Sequence, residues 1–349
     1  MNCCTNCFDD KEIIGFILSN STETGQCDFC GTTNVNLIDP RELGEQFLPV
    51  ISVFKTIAEL GITVPEEKLL RHKLQDTWNI FRLPEARHQL LLTAILSDSF
   101  PDNDPLLTQP VELEVMVNPT PAGAIHEQKW DSFANEIKNN NRFFLTEVID
   151  LDLLKELLAN FSRTYDAGKI FYRGRVSDKS GIILDEMGKP PADISTPGRA
   201  NPKGIPYLYV STKIETTIYE SRSSFLDYIT IAEFRSTAPL NVISLRGIEL
   251  ISPFVFADQL PKHLANQKYL IRLEKELSRP IRRYDKELDY LPSQYLCEYV
   301  KSLGYDAIEY GSSLLDGGIN LAVFNDDKLE ARNLDVYEIT KVEFQYQKV

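Results

Sequence analysis

Two cysteine pairs near the start of the chain have the spacing of metal ligands. Cys4 and Cys7 form one Cys-x2-Cys pair, and Cys27 and Cys30 form the other. Each pair can place two thiolates on one side of a tetrahedron, and four sulfur ligands leave no open position for a catalytic water. The pattern therefore predicts a structural Zn²⁺ site, in which Cys3 is an alternative to Cys4 as a ligand.

A second group of reactive side chains lies in the run from Gly198 to Arg222, which reads GRANPKGIPYLYVSTKIETTIYESR. It sets an arginine, two tyrosines and a glutamate across a predicted turn, strand and helix. A guanidinium matches phosphate oxygens in a two-point grip. A carboxylate stabilises positive charge that builds on a ribose while its glycosidic bond breaks. The run therefore suits the binding and cleavage of a phosphorylated nucleotide.

The apolar spacing in front of this run is helical. Between about 40 and 98 three helices are predicted, with Pro and Gly at the junctions: one from the Asp39-Pro40 turn through Leu60 to near Gly61, one after Pro65 through Phe81, and one after Pro84 through Leu96. A further helical stretch is predicted between about 128 and 160. The proline-rich segment between them is predicted to be extended, with a short strand at Val111 to Val117. We interpret residues 1–35 as a zinc-binding Cys4 knuckle and residues 36–160 as a helical domain.

From Ile170 onward, short predicted strands and helices alternate without a regular βαβ repeat, which indicates an α+β domain over residues 161–349. Strands are expected at Ile170 to Arg173, Tyr207 to Ser211, Ile229 to Arg235, Leu240 to Ser244, Tyr305 to Tyr310, Leu321 to Phe324 and Tyr337 to Phe344, and helices at Lys213 to Ser221 and Pro292 to Leu303.

Composition places further bounds on function. Hydrophobic residues make up 43% and charged residues 25% of the chain, which is typical of a folded globular protein. The net charge of −14 argues against a broad nucleic-acid surface, because neutralisation of phosphates drives that binding. The sequence has neither a long apolar run nor a secretory signal, so we expect a cytoplasmic protein. Cys297 is expected to be a buried apolar side chain.

Five ordered motifs resemble those of the RES domain family. They are FYRGR at Phe171 to Arg175, GRANPKGIPYLYVS at Gly198 to Ser211, Glu220 on the following helix, LPSQYLCEYVKSLGYDAIEYGSS at Leu291 to Ser313, and GGINLAVF at Gly317 to Phe324. The resemblance implies an ADP-ribosyltransferase-like α+β fold and an enzyme that acts on NAD+. Some members hydrolyse or phosphorolyse NAD+ as toxins, others transfer ADP-ribose to a protein, and many are paired with an Xre-like antitoxin.

On this resemblance Glu220 is the carboxylate that stabilises the cationic ribose. Arg173 and Arg199 would bind the pyrophosphate. Glu220 and Arg199 are both predicted to be catalytic residues. Ser312 would hold a phosphate or an incoming acceptor as the third catalytic residue, with Ser313 as the adjacent alternative.

Tyr172 and Tyr209 would present aromatic faces to the nicotinamide, and Gln294 is expected to be structural. A basic residue often follows the family serine closely, whereas Leu314 and Leu315 follow it here. Because of this departure, we expect the end of the site near Ser312 to lack the positive charge that would help to bind an anion there.

The front half of the chain resembles the HEPN-like domain, with a cysteine knuckle, that precedes some RES domains. Arg82 and His88 have a spacing similar to the Arg–His pair of HEPN ribonucleases. We interpret them as ordinary residues near the start of a helix. Two alternatives to NAD+ hydrolysis or phosphorolysis stay open: transfer of ADP-ribose onto a macromolecule, and a non-catalytic nucleotide- or RNA-binding sensor module.

Overall fold

Two units make up the chain in this computed structural model, which describes residues 1–117, 121–146, 148–279 and 287–343. The first unit comprises Met1–Ile125 and Glu249–Lys268, and the second comprises His126–Ile248 and Tyr269–Val349. The domain boundaries after residues 35 and 160 stay predictions. None of the described helices is both long and apolar enough to cross a membrane.

Short helices and two small sheets form the first unit. Helices α1 to α7 are Lys11–Asn20, Gly44–Ile51, Ile57–Leu60, Leu70–Trp78, Glu85–Leu96, Pro105–Thr108 and Glu114–Val117. Strands β1 to β5 are Cys3–Cys4, Glu23–Gly25, Val35–Ile38, Phe54–Thr56 and Val111–Leu113. Strand β3 lies between β1 and β2, and β4 pairs with β5, each time antiparallel. Buried phenylalanines such as Phe47 and Phe81 pack in its core.

The predicted helices of this region are partly wrong. The first was expected to continue to Leu60, but α2 ends at Ile51 and the chain then forms β4. Strand β4 pairs with β5, so its extended conformation depends on a distant segment that local periodicity cannot show. The expected strand at Val111 to Val117 ends at Leu113, where α7 begins.

Among the described residues, an eight-stranded sheet and five α-helices form the second unit. Helices α8 to α12 are Pro121–Asn139, Leu151–Ala159, Ile214–Ser221, Leu260–Ser278 and Leu291–Ser302, of which α8 and α11 also include residues of the first unit. Strands β6 to β13 are Ser162–Tyr165, Ile170–Ser177, Leu208–Ser211, Tyr228–Ser236, Leu240–Leu245, Ala307–Gly311, Ile319–Val323 and Leu329–Glu338.

The strand order in this sheet is β13-β9-β7-β8-β12-β11-β10-β6. Strands β10 and β11 are parallel, and the other described neighbours are antiparallel. This mixed sheet confirms the predicted α+β class. The last strand was expected at Tyr337 to Phe344, but β13 ends at Glu338 and Phe344 lies outside the described residues.

Helix α10 packs closely on strand β7, and a glycine permits this. A Cβ atom on Gly174 would lie 2.7 Å from Cγ2 of Thr217 and 3.3 Å from Cγ2 of Ile229. The hydroxyl of Thr217 also donates to the carbonyl of Tyr172 at 3.3 Å. Any larger residue at position 174 would push the helix away from the strand.

A buried ionic cluster joins three strands at the other end of the sheet. Glu309 of β11 is fully buried, and its Oε1 accepts hydrogen bonds from Arg163 of β6 at 3.1 Å and Arg246 at 2.5 Å. The Ser244 hydroxyl of β10 donates to the same oxygen at 2.8 Å, and the Tyr165 hydroxyl donates to Oε2. The cluster thus compensates the cost of burying the carboxylate.

Candidate functional site

A cavity of about 370 Å³ opens in the second unit between strands β7, β8, β11 and β12, helix α10 and the loop that precedes β8. Its volume is within the range of small-molecule sites. The described residues that line it are Tyr172, Arg173, Gly174, Arg199, Tyr209, Val210, Ser211, Thr217, Glu220, Ser221, Arg222, Tyr310 and Asn320.

The charges around this cavity are mostly positive. Arg173, Arg199 and Arg222 line it together with a single carboxylate, Glu220. The whole chain carries a net charge of −14, so the cavity is a local reversal of the protein's field. The arginines favour an anionic ligand, and the carboxylate of Glu220 can stabilise positive charge that develops on one part of that ligand.

Two neutral donors hold Glu220, which lies on the last turn of α10. The Ser312 hydroxyl and Nδ2 of Asn320 each donate to Oε1 of Glu220 at 2.7 Å. The Ser312 oxygen itself accepts from the backbone N–H groups of Leu314 at 3.1 Å and Leu315 at 3.2 Å, which directs its proton to Glu220. Neither side-chain donor uses Oε2, so that oxygen is left for other contacts.

Arg173 carries a buried donor without a described partner. Its Nη1 donates to the carbonyl of Tyr209 at 3.1 Å, but its Nε is buried and makes no hydrogen bond among the described residues. Burial, and next the charge of Arg175, lower the pKa of Arg173 to about 10, so it remains a cation at neutral pH. A desolvated, unpaired N–H of a cation is costly, and an anionic ligand oxygen would satisfy it.

Arg199 is partly engaged by the protein itself. Its Nη1 donates to the carbonyl of Leu277 at 2.5 Å and its Nη2 to that of Arg279 at 2.8 Å, at the end of α11. The guanidinium carbon also lies 5.7 Å from the ring centroid of Tyr310. Arg199 therefore braces the end of a helix as well as adding charge to the cavity.

Tyr209 fixes the loop that precedes β8. Its hydroxyl donates to Oδ1 of Asn201 at 2.7 Å and accepts from the N–H of Ala200 at 3.1 Å. A Cβ atom on Gly198 would lie 2.8 Å from that hydroxyl and 2.5 Å from Oδ1 of Asn201, so only glycine fits. Burial raises the pKa of Tyr209, which stays a neutral phenol.

The same loop is held from helix α12. Nε2 of Gln294 donates to the carbonyls of Gly198 at 2.8 Å and Asn201 at 3.0 Å, and the Ser293 hydroxyl donates to the carbonyl of Arg199 at 2.6 Å. The expectation that Gln294 is structural is confirmed.

The structure brings most of the predicted site residues together. Five of them line the cavity, namely Tyr172, Arg173, Arg199, Tyr209 and Glu220. Ser312 contacts Glu220, whereas Ser313 is not among the lining residues and has no such contact. The hydrogen bond to Glu220 thus distinguishes Ser312 from Ser313, its adjacent alternative.

Among the cavity residues that the sequence analysis did not assign to the site are Asn320, Ser211 and Tyr310. Asn320 donates to Glu220, Ser211 donates to Asn320, and Tyr310 lines the wall beside Arg199. Asn320 and Tyr310 lie within motifs quoted above, but an asparagine or a tyrosine inside a strand has no local signature of a site residue. Their position depends on the register of β12 with β8 and β11.

The four predicted metal ligands form one cluster in the first unit. The Sγ atoms of Cys4, Cys7, Cys27 and Cys30 all lie within 4.8 Å of one another, and three of the four residues are buried. The Cys4–Cys30 and Cys7–Cys27 sulfur distances are both 3.5 Å. This arrangement fits a tetrahedral thiolate site, whose metal–sulfur bonds are about 2.3 Å long. Cys3 is buried but is not a member of this cluster.

Arg82 and His88 have separate structural contacts. Arg82 is exposed and its Nε pairs with Asp9 at 2.7 Å. His88 is only 3% exposed, its Nε2 lies 2.7 Å from the carbonyl oxygen of Leu83, and its ring is 4.9 Å from that of Phe81. These contacts agree with ordinary structural roles for both residues. A HEPN-like domain is not shown and stays a prediction.

The chain is similar to a known protein family and to solved structures. Residues 175–346 match the family model described as the RES domain. The crystal structure of the M. tuberculosis MbcT–MbcA toxin–antitoxin complex includes a chain that is 15% identical, with coverage of 55% of this chain and 93% of that chain. The TM-score is 0.32, and a likeness of this strength does not bear on function. No curated protein is matched significantly.

Proposed function

Because residues 175–346 match the family model of the RES domain, we propose that the second unit binds NAD+ and cleaves its nicotinamide–ribose bond, with water or phosphate as the acceptor. The observation that carries this proposal is the anchored carboxylate of Glu220 in a cavity lined by arginines. The family match begins two residues after Arg173. The role proposed for Arg173 is therefore supported by the geometry of the cavity.

Cleavage of this bond generates an oxocarbenium-like ribose. The bonding electrons leave with the nicotinamide nitrogen, which becomes neutral, while positive charge builds on the sugar. An ionised Glu220 beside the sugar stabilises that charge, and its Oε2 is the oxygen that neither Ser312 nor Asn320 occupies. Water or phosphate then attacks the sugar carbon, and a proton is released if the acceptor is water.

The diphosphate is assigned mainly to Arg173. Its buried Nε lacks a partner among the described residues and can donate to a phosphate oxygen. Arg199 and Arg222 add positive charge to the same cavity. Tyr172 and Tyr209 supply aromatic surface on which a planar ring can pack. This assignment gives Arg199 a smaller share of the phosphate contacts, because it already donates to two carbonyls.

We also propose that Cys4, Cys7, Cys27 and Cys30 hold Zn²⁺ in the first unit. A bound Zn²⁺ cross-links the two cysteine segments and adds its binding energy to the stability of the fold. With four sulfur ligands, the site is structural and has no part in NAD+ cleavage. An Xre-like antitoxin partner, a role as a toxin or defence effector and a cytoplasmic location stay predictions from the sequence.

The direct test is the product spectrum of the purified full chain after incubation with NAD+, with and without inorganic phosphate. We expect nicotinamide together with ADP-ribose, or with ADP-ribose 1-phosphate when phosphate is present, identified by mass spectrometry. Labelled ADP-ribose on a protein would favour the macromolecular transferase instead. Intact NAD+ under both conditions, with no protein modified, would overturn the proposal.

A further inference from the structure

Asn320 lies between a buried serine and the proposed catalytic carboxylate. It is on strand β12, is only 5% exposed, and donates from Nδ2 to Oε1 of Glu220 at 2.7 Å. Its Oδ1 accepts from the hydroxyl of Ser211 at 2.7 Å. Ser211 is 4% exposed and is the direct register partner of Asn320 on β8. The three polar groups therefore form one hydrogen-bonded line from the sheet to helix α10.

The direction of this line fixes the orientation of the amide. The Ser211 hydroxyl donates to Oδ1, which leaves the NH₂ group to face Glu220. The opposite orientation of the amide would place two acceptor oxygens against each other and leave the NH₂ group aimed at the hydroxyl oxygen. Because both residues are on paired central strands, the amide is held by backbone that has little freedom to move.

We infer that Asn320, oriented by Ser211, is a positioning residue for Glu220, an inference that rests on the proposed function. The NH₂ group of the amide donates and cannot accept, so Nδ2 holds an acceptor oxygen of Glu220. It also holds Oε1 against the sheet, which turns Oε2 toward the ligand. Asn320 and Ser312 thus support the carboxylate from two independent segments.

Other charged and titratable groups surround Glu220, and each stays unchanged in the variants below. They are Tyr172 and Arg173 on β7, Arg199 in the loop before β8, Tyr209 on β8, Arg222 at the end of α10 and Tyr310 on β11. A change in the pH profile of an Asn320 variant is therefore caused by the side chain introduced at position 320.

The test is the pH dependence of kcat/KM for NAD+ in Asn320→Asp, which keeps the shape of the side chain and replaces the donor by a carboxylate. Two carboxylates in contact cannot both ionise freely. We expect the acidic limb of the profile to move up by about one to two pH units. We also expect kcat near pH 7 to fall about 10- to 100-fold, with KM within about threefold. Asn241→Asp on β10, an exposed position, is the matched control.

Ser211→Ala tests the orientation separately. It frees the amide to rotate, and we expect kcat to fall about 5- to 20-fold while the pH profile keeps its shape. Ser236→Ala is its control, since Ser236 is also buried on a strand of the sheet but bonds the carbonyls of Asp166 and Lys169. An Asn320→Asp enzyme with the wild-type pH profile, or a Ser211→Ala enzyme with wild-type kcat, would overturn the inference.

A second readout separates this inference from the proposed function. Absence of turnover by the wild-type chain rejects NAD+ cleavage and leaves the geometry around Glu220 to be tested by NMR. With ¹³C-labelled glutamate side chains, the Glu220 carboxyl in folded Asn320→Asp should take up its proton at a higher pH than in Asn241→Asp. Equal titration midpoints in the two variants would overturn the inference whether or not the wild-type chain cleaves NAD+.

Discussion

Ser312 holds Glu220 in this structure, which differs from the role expected from its motif. Its oxygen accepts from the N–H groups of Leu314 and Leu315, and its proton is directed to Glu220. A hydroxyl with these three hydrogen bonds has little capacity left for a phosphate or an incoming acceptor. The two leucines that replace the basic residue of the family pattern thus contribute their backbone N–H groups instead of a charge.

Removal of the Ser312 hydroxyl should therefore affect catalysis more than binding. In Ser312→Ala, Glu220 keeps the hydrogen bond from Asn320 but loses one of its two anchors. We expect kcat for NAD+ cleavage to fall about 10-fold with KM changed less than about threefold. Ser302→Ala, which removes an exposed hydroxyl at the end of α12, should retain wild-type kinetics. A Ser312→Ala enzyme with raised KM and unchanged kcat would assign the serine to ligand binding instead.

Arg173 and Arg175 provide a matched pair for the diphosphate assignment. Arg173 is a cavity residue whose buried Nε has no partner among the described residues, whereas Arg175 is exposed and donates to the carbonyl of Glu186. Lysine retains the charge but lacks the planar fork. We expect Arg173→Lys to raise KM for NAD+ by about 10- to 100-fold, because roughly 1.5–3 kcal/mol of charge-assisted hydrogen bonding is lost, and Arg175→Lys to change it less than about threefold. Equal changes in KM in the two variants would show that Arg173 does not bind the diphosphate.

Individual site residues could be predicted where a motif identifies them, as for Glu220 and Arg173. Their partners could not. Ser211 and Asn320 meet only because β8 and β12 pair in one register, more than a hundred residues apart along the chain. The competing contacts of Arg199 likewise depend on the end of α11, a helix that the sequence analysis did not predict.

At the level of elements, the cysteine segments are joined by the small sheet of the first unit. Strand β1 ends at Cys4 and pairs with β3, while Cys27 and Cys30 lie on the turn between β2 and β3. Sheet pairing and a metal bound to the four cysteines would therefore support the same arrangement of the chain. Spacing was sufficient to predict which four cysteines cluster, and the cluster includes Cys4 but not Cys3. Their role as metal ligands stays a prediction.

Metal content should depend on Cys27 and not on Cys3. We expect about one Zn²⁺ per wild-type chain by elemental analysis, a near-complete loss in Cys27→Ser, and an unfolding transition of the first unit lowered by several kcal/mol. Cys3→Ala should keep full metal content, since its sulfur is outside the cluster. Full zinc occupancy in Cys27→Ser, or its loss in Cys3→Ala, would show that the ligands are assigned incorrectly.

Helices that carry their own boundary signals were the elements best predicted from the sequence. Helix α5 begins after Pro84, and α12 has a proline in its first turn, so both were placed to within a residue or two. Strand β4 was not predicted, because Phe54–Thr56 is extended only when Val111–Leu113 pairs with it, and local periodicity does not show that pairing.

For the whole molecule, the buried Glu309 cluster links the stability of the sheet to pH. Burial alone would raise the pKa of Glu309, but hydrogen bonds from Tyr165, Arg246 and Ser244 outweigh it and lower the pKa below its usual value near 4.5. The folded state therefore holds the ionised carboxylate more strongly than the unfolded chain does. This stabilisation is complete above about pH 4.5 and is lost as the pH falls through the lowered folded-state pKa.

Glu309→Gln should therefore destabilise the protein at neutral pH and flatten its acid dependence. We expect the free energy of unfolding to drop by about 2–3 kcal/mol, since Arg163 and Arg246 lose their partner but remain partly solvated. Denaturant titrations from about pH 7 to about pH 3 measure both effects. Glu330→Gln, which breaks the exposed pair with Arg332, should cost less than about 1 kcal/mol. Parallel stability–pH curves for wild type and Glu309→Gln would refute this assignment.

The central claim is tested most directly by the rate of nicotinamide release from NAD+ in wild type, Glu220→Gln and Glu215→Gln. Glu215 is an exposed glutamate on the same helix α10, so its variant controls for a general effect of charge or helix stability. We predict a loss of about 100-fold or more in Glu220→Gln and wild-type release in Glu215→Gln. Release by Glu220→Gln within about threefold of wild type would contradict the assignment of Glu220 as the catalytic carboxylate.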